Sequence, residues 1–476
     1  MAKVVVVGAG PAGLAAAEAL AGRCEVTLVT LGHILGGKAC SWQREDGWTV
    51  EHGQHVMLGF YDELRALLRR SGVDPDVATC STEGDFTVFE ERDGATHQLH
   101  LGHSSLGTLL KGLSYSGWSG REKAAFARFF TRVAPEVLAG VPTSLDDVCL
   151  TAWCLERGFP PELTHSTLFR ASRDAQLSWP GEISAYAMLR TIRVTGRDYQ
   201  TAEARFPAGG MSAIWWEPIA RRVEALGGEV QRLKKLVGLE HQEGRLTGLR
   251  FARPLPHGPG RRHLESVPTG PAEPTWTDFD AAVLTLPCAA LAEVLDDELS
   301  GVPGLSGVSR LTDIAPLGLH VWHRERVRAP RAVVCGLPVP LGYVMDNKWT
   351  YPEYRDDPGL GAALHFVGQE TCFEDVDDET LLHATLAGVR RVRGYEAMSD
   401  EGVLDWCVVR NRAPHKRYWN AEPGSWRFKP EPRTPVAGLY LAGDWVRSEL
   451  DFPCMETAVR SGREAAGLVL DDLGVA

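Results

Sequence analysis

From Val4 to Gly13 the chain reads VVVVGAGPAG, which sets Gly8, Gly10 and Gly13 in a G-x-G-x-x-G spacing. That spacing can hold a dinucleotide. The first glycine permits a tight turn, the second lets backbone approach a pyrophosphate, and the third lets a helix pack closely on a strand. Pro11 and Ala12 open the helix, whose free N–H groups and macrodipole would favour the negative charge. An acid about 20 residues further on normally binds the ribose hydroxyls; here the stretch VTLVT ends on Thr30. A threonine hydroxyl can hydrogen-bond a ribose but forgoes a charge-assisted bond. The absent acid leaves NADP as a reading, although no arginine stands at that position to meet a 2'-phosphate.

The elements that must position these residues follow from periodicity. The run Val4 to Val7 is a buried strand, an Ala-rich helix follows, and the next strand ends at Thr30, one βαβ start with the spacing such a unit needs. FPAGGMSAIWWEPIARRVEALGG reads as a helix stopped by Gly227 and Gly228, followed by short strands. PLPHGPGRRHLESVPTGPAEPTW is a solvated loop by composition, after which DFDAAVLTLP resumes as a buried strand. Near the end, Leu439 to Ala442 is a strand, Gly443-Asp444 a turn, and a helix begins at about Met455 with the small inner face Ala458, Ser461, Gly462, Ala465 and Ala466. Residues 1–75, 205–302 and 421–476 are therefore assigned to one α/β domain, and 76–204 and 303–420 to a second. The first of the latter blocks is mainly helical in pattern and the second mixed.

Composition narrows the classes of function. The chain has 476 residues, 44% of them hydrophobic, enough for a sizeable core and for two or three domains. A net charge of -12, with no dense Lys/Arg block, repels nucleic acid and argues against it as a partner. Ten scattered cysteines without C-x-x-C or a close His/Cys set predict reduced thiols in a cytoplasm and no metal. The strand begins directly after MAK and no apolar run approaches the roughly 20 residues of a spanning helix, so neither a signal peptide nor a membrane span is expected.

Further segments carry a resemblance. LGGKACSW at Leu35 to Trp42, TVEHGQHVMLGFY at Thr49 to Tyr61, LSYSGWSGREK, FPAGGMS, LYLAGDW and FPCMETAVRSG extend over nearly the whole length. Together they resemble the carotene desaturase branch of the flavin amine oxidase superfamily, with phytoene and zeta-carotene desaturases and hydroxysqualene dehydroxylase. The resemblance implies bound FAD and a two-domain enzyme: a Rossmann-type, GR2-like cofactor domain with an α+β substrate domain of mixed sheet and helices. It also implies site residues. Gly36 and Gly37 would let backbone pass the cofactor, Lys38 would offer a cation to its pyrophosphate, and Leu236 would join the cofactor contacts. Asp444, after Gly443, would meet phosphate or ribityl hydroxyls, or else cap a helix. The helix starting at Met455 and Glu456 would aim its positive end at the N1/C2 carbonyl edge of the flavin.

Counted back from the glycine pair, the family's ribose-binding glutamate falls on Thr30 and a basic residue often found three positions later falls on His33. FAD is therefore expected to bind, but less tightly. Gln54 and His55 are the candidates for the reacting face, with His55 able to exchange protons near neutral pH or else serving as a structural histidine. Glu51 and His52 are placed behind them; DNKW (Asp346 to Trp349) and RAPHKRYW (Arg412 to Trp419) match cavity-lining segments of relatives. The lysine that amine oxidases carry should lie within IAPLGLHVWH, where none stands. The function implied is dehydrogenation of an apolar isoprenoid, polyene or secondary-metabolite substrate. A flavin amine or amide oxidase, a non-redox isomerase and a prenyl-binding relative of the Rab escort type remain as alternatives. Leu106 to Trp118, LGTLLKGLSYSGW, is either a transient membrane-surface contact or a core helix.

Overall fold

The computed structural model describes residues 1–475 except 82–84, 101–104, 133, 160–171, 175, 195–203, 256–266, 330–332, 339 and 370–371. The valine run forms strand β1 (Lys3–Val7), followed by helix α1 (Pro11–Leu20) and strand β2 (Glu25–Val29). Branched valines suit a strand covered on both faces, and those of β1 from Val4 to Val7 are all buried. β1 sits at the centre of a five-stranded sheet in the order Glu229–Gln231, β2, β1, Ala281–Leu284, Leu439–Leu441. Every pairing in that sheet is parallel. Its strands come from three separated stretches of chain, and the apolar runs Ala281–Leu284 and Leu439–Leu441 are buried as β1 is.

The final helix, Met455–Leu473, packs along α1. A Cβ added to Gly462 would fall 2.1 Å from the Ala12 carbonyl oxygen, so the two backbones approach as only a glycine permits. Ala458, Ser461, Ala465 and Ala466 are buried with it, which is the inner face expected from the sequence.

A seven-stranded sheet forms the other layer, in the order Val403–Arg410, Pro316–His323, Ala362–Gln369, Tyr343–Asp346, Val334–Cys335, Asp85–Glu90, Ala95–His100. Its strand Pro316–His323, between Val403–Arg410 and Ala362–Gln369, is buried on both faces. Leu317, Leu319 and Val321 pack on the helix Asp378–Val389. Their alternates Gly318, His320 and Trp322 face the other way, where Trp322 packs with Val50, Tyr351 and Tyr354.

The structure adds detail to three sequence expectations. The block from residue 76 opens with strands: Thr79–Ser81 pairs with Ala204–Pro207, and the hairpin Asp85–His100 extends the large sheet before the helices begin. The loop after Pro254 carries a strand, Thr269–Ala272, against Arg245–Pro254, while residues 256–266 lie outside the described residues. Trp118 is buried, its ring 4.7 Å from Phe126 and 5.3 Å from Tyr115, so it offers nothing to a membrane surface; Leu110 of the preceding helix is exposed. No helix among the described residues is long and apolar enough to cross a membrane. All ten cysteines are free, and no group of three metal-ligating side chains occurs among the described residues.

Candidate functional site

Two glycine turns lie against each other at the ends of β1 and β2. Gly8 has φ +111°, a conformation side-chain-bearing residues avoid, and donates its N–H to the Val29 carbonyl at 2.8 Å. A Cβ on Gly13 would stand 1.7 Å from the Gly8 oxygen, which is why the helix can start so close to the strand. Gly10 is the N-cap of α1 and no side chain caps that end; Pro11 at the first turn has no N–H to leave unmatched. Buried Ala12 follows. Gly36 crosses this turn, donating to the Ala9 carbonyl at 2.8 Å, and a Cβ there would collide with the Trp216 indole at 2.3 Å. At Gly10, by contrast, a Cβ would meet nothing nearer than 3.9 Å, the closest atoms being in Gly36 and Gly37. That space is a cradle bounded by backbone.

Lys38 closes one side of it. Its Nζ lies 3.2 Å from Asp444 Oδ2, and the Tyr418 ring stands 5.9 Å from the same nitrogen. Gly443, just before Asp444, donates its N–H to Ser461 on the final helix at 3.1 Å. An uncapped helix end, a backbone cradle and a lysine together fit the diphosphate of a dinucleotide such as FAD.

Thr30 is buried where β2 ends; its N–H donates to Gln231 and its carbonyl accepts from Lys234, at 2.9 and 3.0 Å. The His33 side chain is exposed, and its carbonyl accepts from Arg232. An arginine thus does reach this corner, from the neighbouring strand end, which sequence position alone did not reveal. It is occupied: two of its nitrogens fork onto Glu217 at 2.9 and 2.8 Å. Leu236 is buried in the strand Lys235–Gln242.

Met455 begins the final helix behind the N-cap Cys454, whose sulfur accepts from the Thr457 N–H at 3.3 Å. Glu456 faces elsewhere. Its fully buried carboxylate accepts the N–H groups of Glu63 and Leu64, each at 2.9 Å, and Arg460 Nε at 2.8 Å. It therefore caps helix α2 (Asp62–Arg70), which has no side-chain cap of its own.

The segment Glu51 to His55 lies on the large sheet and is anchored to it by side chains. His320 Nε2 donates to the Glu51 carbonyl at 3.1 Å, and Asn411 Nδ2 to the His52 carbonyl at 3.1 Å. Tyr343 donates to the Gln54 carbonyl at 3.4 Å, and Tyr351 to the Glu51 carboxylate. His365 meets the Gln54 carboxamide oxygen at 3.1 Å, and stacks on His320 with ring centroids 3.9 Å apart. Gln54 and His55 remain half-buried, so of this segment they are the side chains left to meet a ligand.

Burial sets the charge of the cluster. It pushes the Glu51 carboxyl up to about 8 against the opposing Tyr351 hydrogen bond, and takes His320 down to about 4. His52 and His365 are pushed well below their usual range, first by burial and then by neighbouring cationic or imidazole groups. His55, expected to exchange protons near neutral pH, is brought to about 4 by burial although its Nδ1 donates to the Gly53 carbonyl at 2.6 Å. Burial thus biases all five groups toward their uncharged forms.

Several side chains of the remaining candidate segments serve the frame. Asp346 caps the turn Asn347–Trp349 and accepts the Ala363 N–H at 2.9 Å, while Lys348 is tied to the carbonyls of Tyr354 and Asp357. Arg417 pairs with Asp313 at 3.3 Å. Sequence reasoning missed His320 and His365: the one stands in the strand searched for a lysine, the other opposite it in register.

With this geometry in place, comparison with known proteins is informative. The family described as flavin containing amine oxidoreductase matches residues 11–470. The chain is 24% identical to 15-cis-phytoene desaturase of Arabidopsis thaliana over 99% of its own length and 80% of that protein's. It is 28% identical to carotenoid phi-ring synthase of Streptomyces griseus, over 99% and 88%. A solved putrescine oxidase, 16% identical, superposes with a TM-score of 0.71 over 99% of each chain and shares the fold.

Proposed function

The chain belongs to the flavin containing amine oxidoreductases, matched from residue 11 to 470, and from that premise we propose that it dehydrogenates an uncharged, apolar substrate of isoprenoid or polyene type. It is an FAD-dependent oxidoreductase. FAD, when bound, supplies a hydride acceptor at flavin N5. The protein's own residues hold the cofactor and choose the substrate. Gly10, Lys38 and the start of α1 bind the diphosphate, and Asp444 stands beside them.

One observation carries the substrate reading: buried His320 stands in the strand where the resemblance led to the expectation of a lysine, inside a cluster whose titratable groups burial biases toward their neutral forms. An ammonium substrate brought here would shed its hydration without gaining a counter-charge, which costs several kcal/mol. A hydrocarbon pays no such penalty. The likeness to phytoene desaturases supports the same class. His55, with Nδ1–H given to Gly53, keeps Nε2 as an acceptor for the proton released when a double bond forms. Its low basicity means that it then releases that proton to solvent.

The test is anaerobic mixing of the FAD-loaded protein with phytoene in liposomes. Loss of the flavin absorption band with a product two hydrogens lighter by mass spectrometry is the expected result. Bleaching by putrescine instead would make it an amine oxidase, and turnover without an electron acceptor an isomerase. Colourless protein that takes up no FAD would favour a prenyl-binding role.

A further inference from the structure

Gln54 is gripped by the sheet through its backbone carbonyl and its carboxamide oxygen, from Tyr343 and His365 respectively. The surroundings determine which nitrogen of His365 carries the proton. Nδ1 lies 3.1 Å from an oxygen that can only accept, so Nδ1 must donate. Nε2 has no hydrogen-bond partner and lies over Gly318 of the next strand, where an added Cβ would come within 3.1 Å of it. A proton on Nε2 would be a buried N–H without an acceptor, costing about 1–3 kcal/mol. Flipping the carboxamide would require that arrangement. The groups facing His365 are His320, stacked on it, with His52 and His55 nearby; none of them offers a charge that would hold a second proton on the ring.

We propose that His365 is a positioning residue: by donating Nδ1–H to the Gln54 carboxamide oxygen it turns the Gln54 N–H groups away from the sheet, as fixed donors to an acceptor atom of the bound flavin ring. This rests on the functional reading above together with the resemblance, which implies Gln54 at the reacting face. His320 supports the arrangement by stacking, and Gly318 supports it by having no side chain where Nε2 lies. A donor held against the ring favours the electron-rich reduced flavin over the oxidised one.

Two measurements decide it. In protein labelled with 15N-histidine, the His365 resonances, assigned by their loss in His365→Phe, should report a neutral ring protonated on Nδ1 between about pH 6 and pH 8. An Nε2–H tautomer, or titration within that range, overturns the proposal whether or not FAD is bound. In the FAD-loaded protein, His365→Phe and Gln54→Leu should each weaken the preference for reduced over oxidised flavin, by about tenfold, the effect of one hydrogen bond. The double variant should lose no more than either single one, and His365→Asn should recover most of the loss. Additive losses, or single variants identical to wild type, overturn it. Failure of the unsubstituted protein to take up FAD would instead refute the functional reading, leaving the tautomer measurement to judge His365.

Discussion

Lys38 Nζ and Asp444 Oδ2 lie 3.2 Å apart although 406 positions separate them in the chain. The pair is partly solvated, so its own contribution to stability is at most about 1 kcal/mol. Its use is positional. It joins the second glycine turn to the turn before the final helix, at the edge of the cradle beside Gly10.

Asp444→Ala is therefore expected to raise the dissociation constant for FAD by about tenfold, or ~1.4 kcal/mol, with the thermal midpoint of the FAD-free protein little changed. Flavin fluorescence titration gives the constant. An unaltered value would remove Asp444 from the cofactor site.

At Thr30 the direction reverses. A glutamate at this strand end would restore a charge-assisted bond to ribose, so Thr30→Glu should tighten FAD binding by about tenfold in the same titration. Weaker binding would mean that the adenosine end is held in another way, for instance with Arg232 released from Glu217.

Glu456 should separate stability from cofactor binding. Because its carboxylate caps α2 from the final helix, Glu456→Gln is expected to cost about 1–3 kcal/mol in urea denaturation while altering FAD affinity by less than about threefold. The opposite pattern would return Glu456 to the cofactor.

The neutral cluster makes stability depend on pH from both sides. The Glu51 carboxyl is raised from 4.5 to about 8, so its stabilising share is full below 4.5 and is lost as pH rises toward 8. His55 and His320 are lowered from 6.5 to about 4, so theirs is present above 6.5 and is lost as pH falls through about 4. Urea midpoints should thus fall on both flanks, and Glu51→Gln should flatten the alkaline flank alone. An alkaline flank unchanged in that variant would show Glu51 to be ionised in the folded protein.

The cofactor half was legible because its code is local. Gly8, Gly10 and Gly13 answer to backbone geometry within one turn, and the small face of the final helix repeats with helical period. The lowered basicity of His55 was not legible, since it depends on what buries the ring. Arg232 was invisible beside Thr30 and His33 because it arrives from the adjacent strand rather than from a fixed distance along the sequence.

The sequence by itself determined the βαβ opening, the glycine turns and the helix that packs on α1, features decided by steric demands among near neighbours. Only the tertiary structure decided that Glu456 caps a helix, that His320 and His365 hold the segment Glu51 to His55, and that burial biases the cluster toward its uncharged forms. Hydration and hydrogen-bond partners set those outcomes, and both are supplied by strands hundreds of residues away, pressed together to bury their apolar faces.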